Sequence, residues 1–169
     1  MNNIDGRDCE SDAKKTGFSL TTMIRATPDQ VFWFIADPST APVIDPAVLS
    51  YEPIGGTMGL GVRNRIRMKM LGIPLTLTSE TIEWEPGVRM SFRSIEPGRP
   101  AVGVATHRFD ACPEGTRYTW SMNFVPTGVG GRMAAVISAA LFERNAVAQQ
   151  ERVRRVLEAA VRQPPTTSP

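Results

Sequence analysis

Three side chains in this sequence have the chemistry to move a proton: Glu80 in TLTSETIEWEP, His107 in VATHRFDA and Tyr118 in TRYTWSMNFV. Each stands in a run where apolar and polar residues alternate, so each can be assigned to one face of a strand. With Ile82 and Trp84 taken as core-facing, alternation carries Thr78 and Glu80 to the same side. A carboxyl there is desolvated, which disfavours its charged form and suits it to act as a general acid or base, or to anchor a ligand hydroxyl or amine. The structural alternative is a carboxylate that reaches water at an edge, or one paired with Arg144 or Arg152 of the C-terminal helix. His107 is the only histidine, so histidine chemistry runs through it or not at all; the alternative is a packed ring hydrogen-bonded near Trp120. Tyr118 is either a core aromatic with its hydroxyl satisfied locally or a donor to a ligand carbonyl.

Turns fix which strand positions meet. Centring the turn LGIP near Gly72 sets Met68 opposite Thr76 and Asn64 opposite Glu80. The turn EPGV sets Trp84 opposite Met90 and Glu80 opposite Ser94, and CPEG sets Phe109 opposite Tyr118 and His107 opposite Trp120, with Met90 on the histidine's other side. Asn64, Glu80 and Ser94 are thus expected in one polar row across adjacent strands. From ~4.8 Å strand spacing and ~3.4 Å rise, Glu80 and His107 are separated by roughly 16 Å, too far for a direct dyad but near enough to hold two ends of one ligand. This parity holds only where no bulge intervenes. The other side chains expected on the ligand side are Ile66, Met68, Phe92, Trp120 and Met122, with Phe142 and Gln149 from the last helix. Methionines there suit an irregular apolar ligand as well as an ordinary core.

The elements that must position these residues follow from local pattern. FSLTTMIR alternates as a strand; Thr27 and Pro28 then supply an N-cap and first-turn proline for a short helix through VFWFIA, closed by Asp37-Pro38. A second short helix or turn is expected over STAPVI, then a strand near AVLSYEPI and a glycine-rich turn. Antiparallel hairpins follow, VRNRIRMKM presenting Arg63, Arg65, Arg67 and Lys69 as a basic outer face. From Met133 to about Val161 no Gly or Pro interrupts a long helix, with Phe142, Ala146, Gln149, Val153, Val156, Leu157 and Ala160 on one side. Residues 1–16 and 163–169 read as flexible tails around one domain, 17–162.

Composition narrows the function. The 169 residues, 41% hydrophobic and 21% charged, suit one globular domain. A formal charge of +2, from 19 Lys and Arg against 17 Asp and Glu, is far from the basic balance of nucleic-acid binders. One histidine and two distant cysteines, Cys9 and Cys112, give neither a metal cluster nor a credible disulfide, and no nucleotide-binding or nucleophile-elbow motif occurs. No cofactor is expected. The absence of a signal-type apolar run, or of ~20 consecutive apolar residues, leads to the expectation of a cytoplasmic protein without a transmembrane segment.

The segments ATPDQVFWFIADP, IEWEPGVRMSFR and HRFDACPEGTRYTWSMNFVP, followed by the long helix, resemble the START-like helix-grip (SRPBCC) superfamily, specifically its polyketide cyclase/dehydrase and lipid-transport group. The resemblance implies an α+β fold in which a seven-stranded antiparallel sheet grips the final helix, with two short helices after the first strand and a hydrophobic cavity between. Together with the apolar inward faces, it leads to the expectation that a monomer or homodimer binds a hydrophobic small molecule. A second expectation, from the enzyme class, is a cofactor-independent cyclase or dehydratase using Glu80 or His107, with hydrogen bonds from Tyr118 and Asn64. A regulatory or assembly protein acting through its outer surface is the third reading.

Overall fold

A computed structural model describes residues 16–70, 72–95 and 101–162; residues 1–15 with Cys9, Leu71, residues 96–100 and residues 163–169 lie outside the described residues. The strands are β1 (Gly17–Ile24), β2 (Val48–Ile54), β3 (Arg63–Met70), β4 (Ile73–Glu85), β5 (Arg89–Ser94), β6 (Ala101–Cys112) and β7 (Gly115–Pro126). The helices are α1 (Pro28–Ala36), α2 (Ala41–Ile44) and α3 (Gly131–Arg162), with a 3-10 turn at Pro38–Thr40. The strands make one antiparallel sheet in the order β1-β7-β6-β5-β4-β3-β2. This is the helix-grip architecture expected from the sequence.

α1 begins as its sequence dictates. Thr27 accepts from the Gln30 amide at 3.3 Å while the Gln30 side chain accepts from the Thr27 amide at 2.9 Å, a reciprocal capping box. Its buried Phe32 meets Trp84 of β4 and Phe109 of β6 edge-on, with ring centres 5.0 and 5.5 Å away. These rings anchor one end of the sheet.

α3 crosses the same face, resting chiefly on β1, β7 and β6. Its buried stripe is Ala135, Ala139, Ala146, Gln150, Val153 and Leu157, the three- and four-residue spacing of a helix face. Val156 and Ala160, expected on that face, are exposed. The buried position beside them is Gln150, whose side-chain amide donates to the Leu20 carbonyl at 2.9 Å. It satisfies a backbone group of edge strand β1 that no neighbouring strand can reach.

The register of β3, β4 and β5 departs from expectation in two places. Met70 pairs with Ile73, so the hairpin loop holds two residues, with Gly72 at φ +81°. Every β3–β4 partner therefore moves by one position: Met68 meets Leu75, and Asn64 meets Ser79. Leu75, Leu77, Ser79 and Thr81 consequently share the face of Met68, and Glu80 falls opposite Arg63 on the other side. Between β4 and β5 the register then shifts, Thr81 pairing with Phe92 and Glu83 with Ser91, which leaves Ile82 as the extra residue of a bulge. Beyond it Trp84 faces Met90 as expected. Two one-residue displacements cancel at Trp84 and do not cancel at Glu80.

Glu80 is thus corrected to an outer-face residue, and its partner is Arg93 of β5 at 3.0 Å rather than an arginine of α3. With side chains 33% and 50% exposed, the pair is a solvated cross-strand contact of small worth. Glu80→Gln is expected to lower unfolding free energy by less than about 1 kcal/mol in urea titrations, and a loss of several times that would show that the carboxylate is buried after all.

Candidate functional site

Between the sheet and the N-terminal half of α3 lies a cavity of about 390 Å³. Its existence follows from missing volume. On the cavity side β6 carries only Ala101, Gly103 and Ala105 before reaching His107, and α3 brings Ala134 and Ser138. Large side chains close the perimeter: Met68, Phe92, Trp120, Met122, Phe124 and Phe142. At Gly103 even a methyl group would come within 3.2 Å of the Phe124 ring. Packed interiors leave little empty space, so a gap of this size is a feature of the fold and not a packing fault.

Several expected ligand-side residues border this space: Ile66, Met68, Phe92 and Ser94 from the sheet's middle, His107, Trp120 and Met122 further along, and Phe142 and Gln149 from α3. Thr78 also borders it, although its register partner is the outward Arg65. Four others do not reach it. Met90 is wholly buried in the core, Trp84 packs against Phe32, and Ile82 is the bulge residue. Asn64 is wholly buried beside the cavity, its amide donating to Thr81 Oγ1 at 3.1 Å.

The expected Asn64–Glu80–Ser94 row is replaced by Asn64, Ser79 and Ser94. Ser94 accepts from the Gly103 amide at 2.8 Å, whereas Ser79 Oγ and Asn64 Oδ1 are buried without a hydrogen-bond partner. Ser79 was missed because parity was counted from Ile82 and Trp84, beyond the bulge. A signal was present: Leu75 and Leu77 alternate in the opposite phase to Ile82 and Trp84, which requires an extra residue between them. Tyr51 and Asp45 also line the cavity without having been singled out. Tyr51 shares the face of its partner Ile66, and burial pushes its phenol well above the usual tyrosine range. Asp45 accepts from Gln149 Nε2 at 2.6 Å, joining the end of α2 to α3 at the cavity wall.

His107 and Tyr118 are brought together as neighbours on β6 and β7. His107 Nδ1 lies 2.8 Å from the Tyr118 hydroxyl, and the imidazole is stacked on both Tyr118 and Trp120 with ring centres 6.0 and 5.9 Å away. Tyr118 is buried and does not itself border the cavity; His107 borders it. Burial lowers the histidine from 6.5 to about 4 and drives the tyrosine upward, so near neutral pH both are uncharged. When the phenol donates to Nδ1, the imidazole proton resides on Nε2 and is a donor. Trp120 borders the cavity too, while its Nε1 is buried without an acceptor. Among the described residues no group of three or more His, Cys, Asp or Glu is placed to hold a metal ion. Cys112 is a half-buried free thiol in another part of the molecule, where its Sγ meets the Gly115 carbonyl at 3.4 Å.

The low histidine value has a consequence for stability. Between pH 6.5 and about 4 the unfolded chain takes up a proton that the folded chain refuses, so stability falls as the pH is lowered through this window. Stability is expected to drop by up to about 3 kcal/mol across it, and His107→Gln should remove that component from denaturation curves taken at successive pH values. An unchanged pH slope in the variant would mean that His107 protonates freely in the folded state.

A family model described as polyketide cyclase/dehydrase and lipid transport matches residues 15–158. An uncharacterized protein of Mycobacterium tuberculosis (strain H37Rv) is 33% identical over 114 residues, a match spanning 62% of this chain and 63% of the relative's length. Among solved structures, the Zhui aromatase/cyclase from Streptomyces sp. R1128 superimposes with a TM-score of 0.71 at 22% identity, covering 86% of this chain and 95% of that one. The di-domain ARO/CYC StfQ from the steffimycin biosynthetic pathway gives 0.71 at 12% identity, covering 86% of this chain and 51% of that one. At these identities the structural likeness concerns the fold.

Proposed function

This chain belongs to the polyketide cyclase/dehydrase and lipid-transport family, and from that premise we propose that it binds a hydrophobic small molecule of polyketide, terpenoid or lipid type between the sheet and α3, in the cytoplasm. The observation that carries this reading is an apolar cavity between the sheet and α3, walled by Met68, Phe92, Met122, Phe124 and Phe142 and bordered by few polar side chains. The ligand that suits this wall has an apolar body with few polar substituents. A volume of about 390 Å³ falls at the lower end of the ~300–1,000 Å³ span of small-molecule pockets and favours a compact, ring-built body over a long acyl chain.

Ala105→Trp, which fills the cavity, is expected to abolish binding of a retained or added hydrophobic ligand. Calorimetric titration, or mass spectrometry of ligand extracted from the purified protein, reads the loss. Undiminished binding in Ala105→Trp would move the ligand elsewhere.

A second reading, a cyclase or dehydratase, is favoured by the His107–Tyr118 pair at the cavity wall. A neutral imidazole held by a protonated phenol can donate to a ligand carbonyl as negative charge develops on its oxygen, and can relay a proton. Glu80, on the outer face, has no part in it. On this reading His107→Ala lowers turnover of a cyclising substrate by about 100-fold or more with a much smaller change in affinity. Equal turnover in the variant and the parent leaves binding as the function.

A further inference from the structure

Two stretches without acidic residues converge at one end of the molecule. No Asp or Glu occurs from Arg63 to Ser79, or from Gly115 to Phe142. Met70 and Leu75, either side of the β3–β4 hairpin tip, and Ala134, Ser138 and Leu141, in the first half of α3, border the same cavity. α3 rests chiefly on β1, β7 and β6, and the cavity separates it from β3 and β4.

Close in sequence to these lining residues, apolar side chains point to water. Ile73 at the hairpin tip is 68% exposed, and Met133 and Ile137, one turn apart on α3, are 70% and 52% exposed. Val129, just before the helix, is fully exposed. Beside Ile73, the outer face of β3 presents Arg65, Arg67 and Lys69, all exposed and making no ion pair with another described residue. Exposed Arg132 adjoins Met133. Separate apolar tips, each flanked by unpaired cations on an acid-free background, suit shallow insertion at a surface that is apolar beneath and anionic above.

We propose that this end of the molecule docks on an anionic lipid bilayer, with Ile73, Met133 and Ile137 entering the acyl boundary while Arg67, Lys69 and Arg132 meet lipid phosphates. A second copy of the chain is a poor occupant, since this end would oppose cations to cations. An acidic protein would answer the charges and leave the projecting tips in water. The surface does not depend on what fills the cavity.

Sedimentation of the full chain with vesicles tests the proposal. Partition onto phosphatidylcholine vesicles containing about 30 mol% phosphatidylglycerol is expected to exceed that onto phosphatidylcholine alone by more than about tenfold, and to collapse in high salt. The double variant Arg67→Glu/Lys69→Glu should lose about tenfold or more of that partition, and Met133→Ser/Ile137→Ser a comparable amount. Both should keep the parental circular dichroism and the parental uptake of a hydrophobic ligand measured without vesicles, because none of the four side chains lines the cavity. Equal partition onto neutral and anionic vesicles, or none onto either, overturns the proposal. So does a concentration-dependent dimer in sedimentation equilibrium that Met133→Ser/Ile137→Ser dissolves, which would assign the face to a second copy.

Discussion

An antiparallel sheet turns its side chains alternately to two faces, and in this molecule α3 and the short helices cover only one of them. Hydrogen-bond register therefore decides what the cavity contains, because a displacement of one residue exchanges the two faces completely. Between β3 and β5 the register is set by two local devices, a two-residue hairpin loop with Gly72 at positive φ and the bulge at Ile82. Together they put Leu75, Leu77 and Ser79 at the cavity and Glu80 in solvent, yet still deliver Trp84 to the core beneath Phe32. Without the bulge, one strand could not supply both an apolar cavity wall and the aromatic anchor of α1.

The cavity is the space left when small side chains on β6 and α3 face each other across a rim of large ones. Its polar content is sparse and unequal in kind. Ser94 and Asp45 are already hydrogen-bonded within the protein, whereas Ser79 Oγ and Trp120 Nε1 are buried without partners. Satisfied groups hold the wall in place. His107 falls between the two classes, with one ring nitrogen engaged by Tyr118 and the imidazole kept neutral by burial. Its neutrality suits hydrogen bonding and proton relay better than fixed-charge attraction.

α3 divides its work along its length. The half from Ala146 onward is packed into the core and plugs the β1 edge through Gln150, while the half before it roofs the cavity with alanine, serine and leucine and turns Met133 and Ile137 to water. The acid-free segments supply cavity-lining residues from both the β3–β4 hairpin and the first half of α3, so a protein of nearly balanced charge carries exposed cations and apolar tips beside them.

Much of this was legible in the sequence because it rests on short-range pattern. Alternation and turn residues identified the strands, Thr27 and Pro28 opened α1, and an uninterrupted thirty-residue helical stretch marked α3. The turns EPGV and CPEG paired Trp84 with Met90 and His107 with Trp120. Residues on long, unbulged strands, such as Ile66, Phe92, His107 and Met122, were correctly brought to the inner face for the same reason. The opposite phases of Leu75/Leu77 and Ile82/Trp84 require an extra residue somewhere between them, but only strand pairing in the tertiary structure places it at Ile82, beyond Glu80. The consequence fell on Glu80: its sequence neighbours made it look like a buried acid, and strand pairing made it a solvated partner of Arg93. The size of the cavity, the burial that keeps His107 neutral and the missing partners of Trp120 and Ser79 are likewise tertiary facts, because each depends on what other parts of the chain do or do not bring within reach.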